Sequence, residues 1–338
     1  MTMVFVNANW IMIGVDVAAV VGLAALVVAV AATRATRAGH YTAQAAALTP
    51  LVAGACVGAG LLGVVTATPL LGAATVLCGL AVATATMPVR RASARGPLDS
   101  EPGITLVSSN VLITNHRFRD LARSLLDEDA DVVVLQEITS EHAAILDDVL
   151  CGYGDRQVVA EPRDDYAGWA IVSKHPIVSV DRLEFPGWPI AVVAIDHPSG
   201  RFRLANIHTA APTTTEDATA WGDQFNALER LADPAAPTVL AGDFNATDQH
   251  AAFRRLLECG FTDAFEEVGT GWGATWPSGG WRVPVLRLDH VLTGGPMLAT
   301  SVTSRAAPGS DHLYLCATLR FTADLPSASD RIQSNAIT

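Results

Sequence analysis

Lysine occurs once in this chain of 338 residues, at Lys174. A protein that grips duplex nucleic acid neutralises several phosphates with clustered lysine and arginine, so this scarcity argues against a broad basic face. Charge is also almost missing from the first 87 residues, where Asp16, Arg34 and Arg37 are the only charged side chains among the 22 basic and 34 acidic ones of the chain. The remaining residues hold 20 basic and 33 acidic side chains, a formal charge of −13. So uneven a distribution excludes a single soluble globule, and also a disordered or fibrous chain. The five cysteines form no CxxC pair and no zinc-ligand spacing, which points to unpaired thiols. No phosphate-binding P-loop, GxSxG elbow, HExxH pair or dinucleotide-binding glycine pattern is present.

What the N-terminal part has instead is long apolar sequence. Trp10–Ala32 carries the single charge of Asp16, and Ala43–Met87 carries none. A spanning helix needs about 20 apolar residues, and Pro69 offers a break in the second run. The expectation is three transmembrane helices, at about 10–32, 44–66 and 69–87. Gly54, Gly58, Gly60, Gly72 and Gly79 suit either close helix contact or the general tolerance of glycine in such helices. Asp16 lies off the centre of the first helix, near enough to its end to reach the interface. A cleavable signal peptide does not fit, because no basic segment precedes the first run. Residues 88–102, with Arg90, Arg91 and Arg95, read as a juxtamembrane linker. With three spans, Arg34 and Arg37 share a side with that linker, and the positive-inside rule places both, and the following domain, in the cytoplasm.

From residue 103 to 322 short apolar runs alternate with helical stretches. Strands are expected at Ile104–Val107, Asp131–Leu135, Ala170–Val172, Ala191–Ile195, Phe202–Ile207, Thr238–Ala241, Leu288–Leu292 and Leu313–Arg320. Helices are expected at Phe118–Leu126, at Ser140–Leu150 with Ser140 as cap, at Asp217–Leu231 and at Ala251–Glu258. Strands outnumber helices and hairpins mix with βα units, so the fold class is α/β, a sandwich of two mixed or antiparallel sheets with helices outside. The polar tail, residues 323–338, reads as flexible.

Five of the apolar strands end in carboxylate, amide or imidazole groups: Asn110, Gln136-Glu137, Asn206 with His208, Asp243 with Asn245, and Asp289-His290. A sixth cluster, Gly309-Ser310-Asp311-His312, precedes the last strand. Six such endings imply strands that deliver side chains to a common rim, and hard oxygen ligands of this kind suit Mg²⁺ or Mn²⁺ over zinc.

Read in order, Ser109-Asn110-Val111, Leu135-Gln136-Glu137, Gly168–Lys174, Asn206-Ile207-His208, Gly242–Thr247, Leu288–Val291 and Ser310-Asp311-His312 resemble the motifs of the endonuclease/exonuclease/phosphatase superfamily, over about residues 103–321. Thr275-Trp276-Pro277 further resembles its bacterial membrane-tethered members. The resemblance implies a four-layered α/β sandwich and phosphoester hydrolysis with a divalent metal, Mg²⁺ or Mn²⁺. It assigns Glu137, Asn110 and Asp311 to the metal and phosphate shell. Asp243 and Asn245 would orient the attacking water and bind the scissile phosphate, and His208 would donate to a phosphate oxygen. His312 would be the general base or phosphate-binding histidine, its tautomer fixed by Asp289. Tethered relatives carry this domain outside the cell, opposite to the charge-based expectation.

His290, His175 and His197 read as non-catalytic, Trp272, Trp276 and Trp281 as loop packing, and Lys174 as a weak phosphate contact. The stretch around Asp164-Asp165-Tyr166 lacks the lysine-rich approach of an apurinic endonuclease, and no basic pocket for inositol polyphosphates is evident. The function expected is a multi-pass, membrane-anchored phosphoesterase acting on a lipid head group, a lipid-linked phosphate or a small phosphoester, with the bilayer as partner. A nuclease acting on DNA or RNA is one alternative, and a catalytically silent membrane scaffold is the other.

Overall fold

The computed structural model describes residues 8–35, 39–66, 69–86, 103–183, 188–269 and 272–322. The expected linker 88–102 and tail 323–338, with Arg37 and the Ala67-Thr68 break, lie outside the described residues. The chain divides into two compact units.

One unit is built on four helices, α1 (Ala8–Thr33), α2 (His40–Ala47), α3 (Thr49–Thr66) and α4 (Pro69–Thr86), and also includes Pro212–Gly222 and Asp248–Arg254. α1 and α4 fall where the apolar runs place them, whereas the helix expected at 44–66 is broken, its first residues belonging to α2 and the rest to α3 from Thr49. Among the described residues, Pro69–Thr86 is the one helix long and apolar enough to cross a membrane, and α2 with Thr49–Val65 passes the same test only as a pair bent by 56°. Three separate spans are therefore not established. The glycines divide into two groups. A Cβ on Gly72 would stand 2.4 Å from the Val64 amide nitrogen and 2.7 Å from the Gly60 carbonyl oxygen, so this α3–α4 contact needs glycine. Gly54 and Gly58 face open space and carry no such demand.

The second unit is the α/β sandwich. Its first sheet contains β1 (Ile104–Asn110), β2 (Val132–Gln136), β3 (Gln157–Glu161), β4 (Trp169–Ser173), β11 (Met297–Ala306) and β12 (Leu313–Phe321), in the order β11-β12-β1-β2-β4-β3. The second contains β5 (Ile177–Leu183), β6 (Ile190–His197), β7 (Gly200–His208), β8 (Thr238–Asp243), β9 (Phe261–Asp263) and β10 (Asp289–Gly294), in the order β5-β6-β7-β8-β10-β9. Ile104, Val132 and Ile171 of the first sheet meet Val193, Leu204 and Val239 of the second in one buried core. On the outer face of the first sheet, Val107, Val133 and Leu135 pack under α5 (Phe118–Leu126) and α6 (Ser140–Leu150). The short α9 (Ala264–Val268) also belongs to this unit, while α7 (Thr215–Leu228) and α8 (Ala251–Glu258) each contribute residues to both units.

Two details differ from expectation. The cap of α6 is Thr139, whose hydroxyl accepts from the His142 amide at 3.1 Å, and Ser140 is the first helical residue. Four strands, β3, β5, β9 and β11, carried too little apolar signal to be expected, and each is an outer edge of its sheet. An edge strand is covered on fewer sides, so its side chains alternate weakly or stay exposed; in β5 and β3 most are.

The topology gathers one rim. β1 and β2 are parallel, as are β7 and β8, so Asn110, Gln136, His208 and Asp243 all end their strands at the same side. β10 runs antiparallel to β8 in a register that sets Asp289 opposite Asp243, and β12 starts beside the end of β1. Beneath this rim a buried amide pair joins the sheets: Gln136 Nε2 donates to Asn206 Oδ1 at 2.7 Å, and Asn206 Nδ2 donates to the Leu135 carbonyl at 3.0 Å. Behind it, a Cβ on Gly168 would lie 2.0 Å from the Ile138 carbonyl oxygen, so glycine lets the Gly168 strand close on the turn that carries Glu137.

Candidate active site

Asn110 is the hub of the rim. Its Nδ2 donates to Glu137 Oε1 at 2.9 Å and to Asp243 Oδ2 at 3.1 Å, joining a residue of each sheet, while its Oδ1 accepts from the Leu112 amide at 3.0 Å. Glu137 follows β2 in the left-handed region, φ +63°, and its Oε2 accepts from the Ile113 amide at 2.7 Å. A non-glycine residue held there is unusual and must be fixed by its surroundings. His208 Nε2 stands 3.7 Å from Glu137 Oε1 and 3.9 Å from Asp243 Oδ2.

The second half of the site is a carboxylate–imidazole chain. His312 Nδ1 lies 2.8 Å from Asp289 Oδ2, and its Nε2 lies 3.7 Å from Asp243 Oδ2. The hydroxyl of Ser310 donates to the Asn110 carbonyl at 2.8 Å and accepts from the His312 amide at 3.1 Å, tying the last motif to β1. Thr275 Oγ1 accepts from the Asp289 amide at 3.2 Å, and Trp276 Nε1 donates to Asp311 Oδ2 at 3.1 Å. The Thr275-Trp276 motif thus holds two of the site's acids, a role the sequence reading did not give it. Trp188, also absent from that reading, sets its ring edge-on to His208 with centroids 5.3 Å apart, and no motif marks it.

Asn110, Glu137, His208, Asp243, Asp289 and His312 lie together at the rim. Asn245 joins them through its amide, which donates to Asp243 Oδ1 at 2.8 Å, while its side chain turns back to the Thr209 carbonyl at 2.9 Å. Asp311 is directed to Trp276. Among the described residues, the group at this rim with metal-ligand spacing is Asp243, Asp289 and His312, with Glu137 reached through Asn110. Lys174 takes no part, because its ammonium pairs with Asp129 at 2.7 Å.

Burial raises the Asp243 carboxyl above its ordinary range, Asp289 adds to this, and His312 and His208 only partly oppose it. Burial works against a charged His312, but Asp289 and Asp243 overcome it and lift the imidazole to about 10. The donor set fits a hard divalent cation: it is rich in carboxylate oxygen, and Asp289 Oδ1 is buried with no hydrogen-bond partner.

A second cluster, Asp131 with His175 and His197, lies at the other end of β2. There Asp131 Oδ2 accepts from the Thr105 amide and hydroxyl, both at 2.7 Å, and His175 Nε2 lies 3.1 Å from Oδ1. The Ser199 amide donates to His197 Nδ1 at 3.0 Å, which leaves the proton of a neutral ring on Nε2, the atom nearest Asp131. That is a hydrogen-bonded cluster, not a set of free ligands.

The model of the endonuclease/exonuclease/phosphatase family matches residues 107–312. A search of curated proteins finds no match. Among solved structures, TDP2 from D. rerio in complex with a single-strand DNA product is 18% identical, with a TM-score of 0.55 over 65% of this chain and all of that one. A truncated Caenorhabditis elegans TDP2 is 19% identical, with a TM-score of 0.52 over 64% of this chain and 97% of that one. An endonuclease/exonuclease/phosphatase family protein from Leptotrichia buccalis is 18% identical, with a TM-score of 0.53 over 64% of this chain and all of that one. These likenesses establish the fold.

The two raised groups have one sign. A histidine whose folded pKa exceeds its unfolded value stabilises the fold at low pH and loses that contribution as pH rises through the folded value. The raised Asp243 carboxyl has the same sign, but the window is set by His312, whose ordinary and folded values bracket it. EDTA-treated protein should therefore unfold at progressively lower denaturant between pH 6.5 and 8.5, and His312→Gln should flatten the dependence. Stability that stays level or climbs across this window would contradict the charge state assigned to His312.

Proposed function

Because the chain belongs to the endonuclease/exonuclease/phosphatase family, we propose that it is a phosphoesterase dependent on Mg²⁺ or Mn²⁺, anchored to a membrane through its N-terminal helices. The observation that carries the reading is the convergence of Asn110, Glu137, His208, Asp243, Asp289 and His312 on one rim, with His312 fixed by Asp289 at 2.8 Å. No expected position of the site has been replaced, which favours an enzyme over a silent scaffold.

Glu137, Asn110 and Asp311 would hold the cation, with the Asp243 and Asp289 carboxylates beside them. A bound divalent cation neutralises phosphate oxygens and stabilises charge developing on the leaving oxygen. Asp243 and Asn245 orient the attacking water against phosphorus. His208 donates to a phosphate oxygen, and His312 holds or moves a proton at Nε2 while Asp289 keeps Nδ1 occupied. Positioned acid–base groups of this type contribute about 10²–10⁴-fold.

For the substrate we favour a lipid head group, a lipid-linked phosphate or a small phosphoester. The sequence after residue 87 carries a charge of −13, and its one lysine is engaged by Asp129. The apolar helix Pro69–Thr86 supports anchoring. A nucleic-acid substrate is the second reading, favoured by the fold shared with the D. rerio TDP2 bound to a single-strand DNA product.

The test is turnover by the full-length chain in detergent, with Mg²⁺ or Mn²⁺, on bis-p-nitrophenyl phosphate, phospholipid vesicles, plasmid DNA and single-stranded oligonucleotides. Metal-dependent hydrolysis of the first two, abolished by EDTA, is the expected result. Plasmid nicking at physiological salt without lipid or small-ester turnover would favour the nuclease, and no turnover at all the scaffold. Glu137→Ala, Asp243→Ala and His312→Ala should each lower kcat by about 10²-fold or more. Asp289→Asn combined with His312→Ala should be barely worse than His312→Ala alone, since residues acting as a unit are not additive; losses that multiply would remove the orienting role of Asp289.

A further inference from the structure

His290, read from the sequence as non-catalytic, immediately follows Asp289 on β10 and is completely buried. Successive strand residues point to opposite faces, so the ring sits apart from the His312 chain. Its Nδ1 is 2.6 Å from Asp263 Oδ2, at the end of the neighbouring β9, and its Nε2 is 2.9 Å from the carbonyl oxygen of Ala246. Its ring stands edge-on to Phe244, at 5.5 Å and 87°. Phe244 and Ala246 flank Asn245, and all three follow Asp243 in the turn that closes the active-site rim.

That turn is tied down from several sides. Asn245 has φ +45°, in the left-handed region that asparagine adopts more readily than most non-glycine residues. On one side Asn245 is tied to Asp243 and Thr209. The Phe244 amide donates to the Leu288 carbonyl at 2.9 Å, and Phe244's own carbonyl accepts from Thr209 Oγ1 at 2.5 Å. His290 meets the same turn through Ala246. Behind the ring, Asp263 is itself immobilised: its Oδ1 accepts from the Phe265 amide at 2.8 Å and lies 3.7 Å from Arg287 Nη1. Burial opposes ionisation of Asp263, but Arg287 and His290 outweigh it and hold the carboxyl at about 2.

We infer that His290 is a positioning residue of the phosphoesterase site: braced by Asp263, it holds the Ala246 carbonyl and thereby fixes the turn 243–247 that presents Asp243 and Asn245 to substrate. The inference rests on the proposed reaction for its kinetic consequence, but its structural content stands apart from it. The ring is set between Asp263 Oδ2 and the Ala246 carbonyl, one at each nitrogen, so a rotation takes it away from both and its orientation is determined. A shift of the turn by about 1 Å would displace the water-orienting groups, a misplacement able to cost on the order of 10²-fold in rate.

Two isosteric amides separate the bonds. The amide nitrogen of glutamine reaches the place of Nε2 and can still donate to Ala246, whereas that of asparagine reaches the place of Nδ1 and can donate only to Asp263. In the full-length chain, His290→Asn should lower kcat on bis-p-nitrophenyl phosphate by on the order of 10²-fold at little change in KM. His290→Gln should recover at least about tenfold of that loss, although both variants lose the other bond and melt below the parent. Hydrogen exchange across 244–249, read by mass spectrometry, should accelerate in His290→Asn more than in His290→Gln. Equal kcat losses in the two variants, or losses that follow melting temperature instead of the amide position, would overturn the inference. So would failure of His290→Asn to fold where His290→Gln folds, since that places the ring in the core and not under the turn. If the parent chain turns over no phosphoester, the proposed function fails while the exchange comparison still decides: faster exchange in His290→Asn supports the brace, and equal exchange removes it.

Discussion

The rim brings the carboxylates of Glu137, Asp243 and Asp289 into a buried neighbourhood, and the surrounding architecture answers the cost of putting them there. A buried charge without partners is strongly unfavourable. Here part of that cost is offset by the amide of Asn110, which joins Glu137 to Asp243 across the two sheets, by the Ile113 amide on Glu137, and by the imidazole of His312 on Asp289. The parallel pairs β1–β2 and β7–β8 and the antiparallel β10 are what allow these groups to meet, since a register change of one residue would turn Asp289 away from Asp243. The compensation is incomplete by design of the donor set: Asp243 remains raised by burial, and Asp289 keeps one buried oxygen without a partner. A hard cation is the species that such a surplus of oxygen accommodates.

Much of this is legible in the sequence because central strands and their polar ends have strong signatures. Val132–Gln136 and Thr238–Asp243 are buried throughout and read as apolar runs that end in polar groups. The four strands without a clear signal are the four sheet edges: exposure blurs the alternation in β3 and β5, and β9, with three residues, is too short to show a period. Long-range partners were equally hidden. Nothing local to Asp311 indicates that its carboxylate meets Trp276, 35 positions away, and nothing local to His290 indicates that it braces Ala246, 44 positions away. The Thr139 cap of α6 was missed for a smaller reason, since adjacent Thr139 and Ser140 offer the same hydroxyl chemistry and only backbone geometry chooses between them.

The N-terminal helices illustrate a different limit. Apolar runs set the ends of α1 and α4 closely but miss the break between α2 and α3, and composition does not decide how many of these helices cross a bilayer; among the described residues Pro69–Thr86 is the helix that qualifies alone. The close Gly60–Gly72 approach is a packing fact independent of that question, because a side chain at Gly72 would collide with backbone atoms in any solvent. In the other unit the one lysine of the chain, Lys174, is paired with Asp129, so on the proposed reading a phosphate would be met by the imidazoles and amides of the rim and not by lysine.

The central claim is that the rim is built for a divalent cation, and calorimetric titration of Mn²⁺ into the EDTA-stripped full-length chain tests it without reference to any substrate. Saturable binding that Mg²⁺ displaces, and that is lost in Glu137→Gln and Asp243→Asn while Asp131→Asn retains it, is the predicted result. Binding unchanged by the two rim substitutions, or abolished only by Asp131→Asn, would contradict the account.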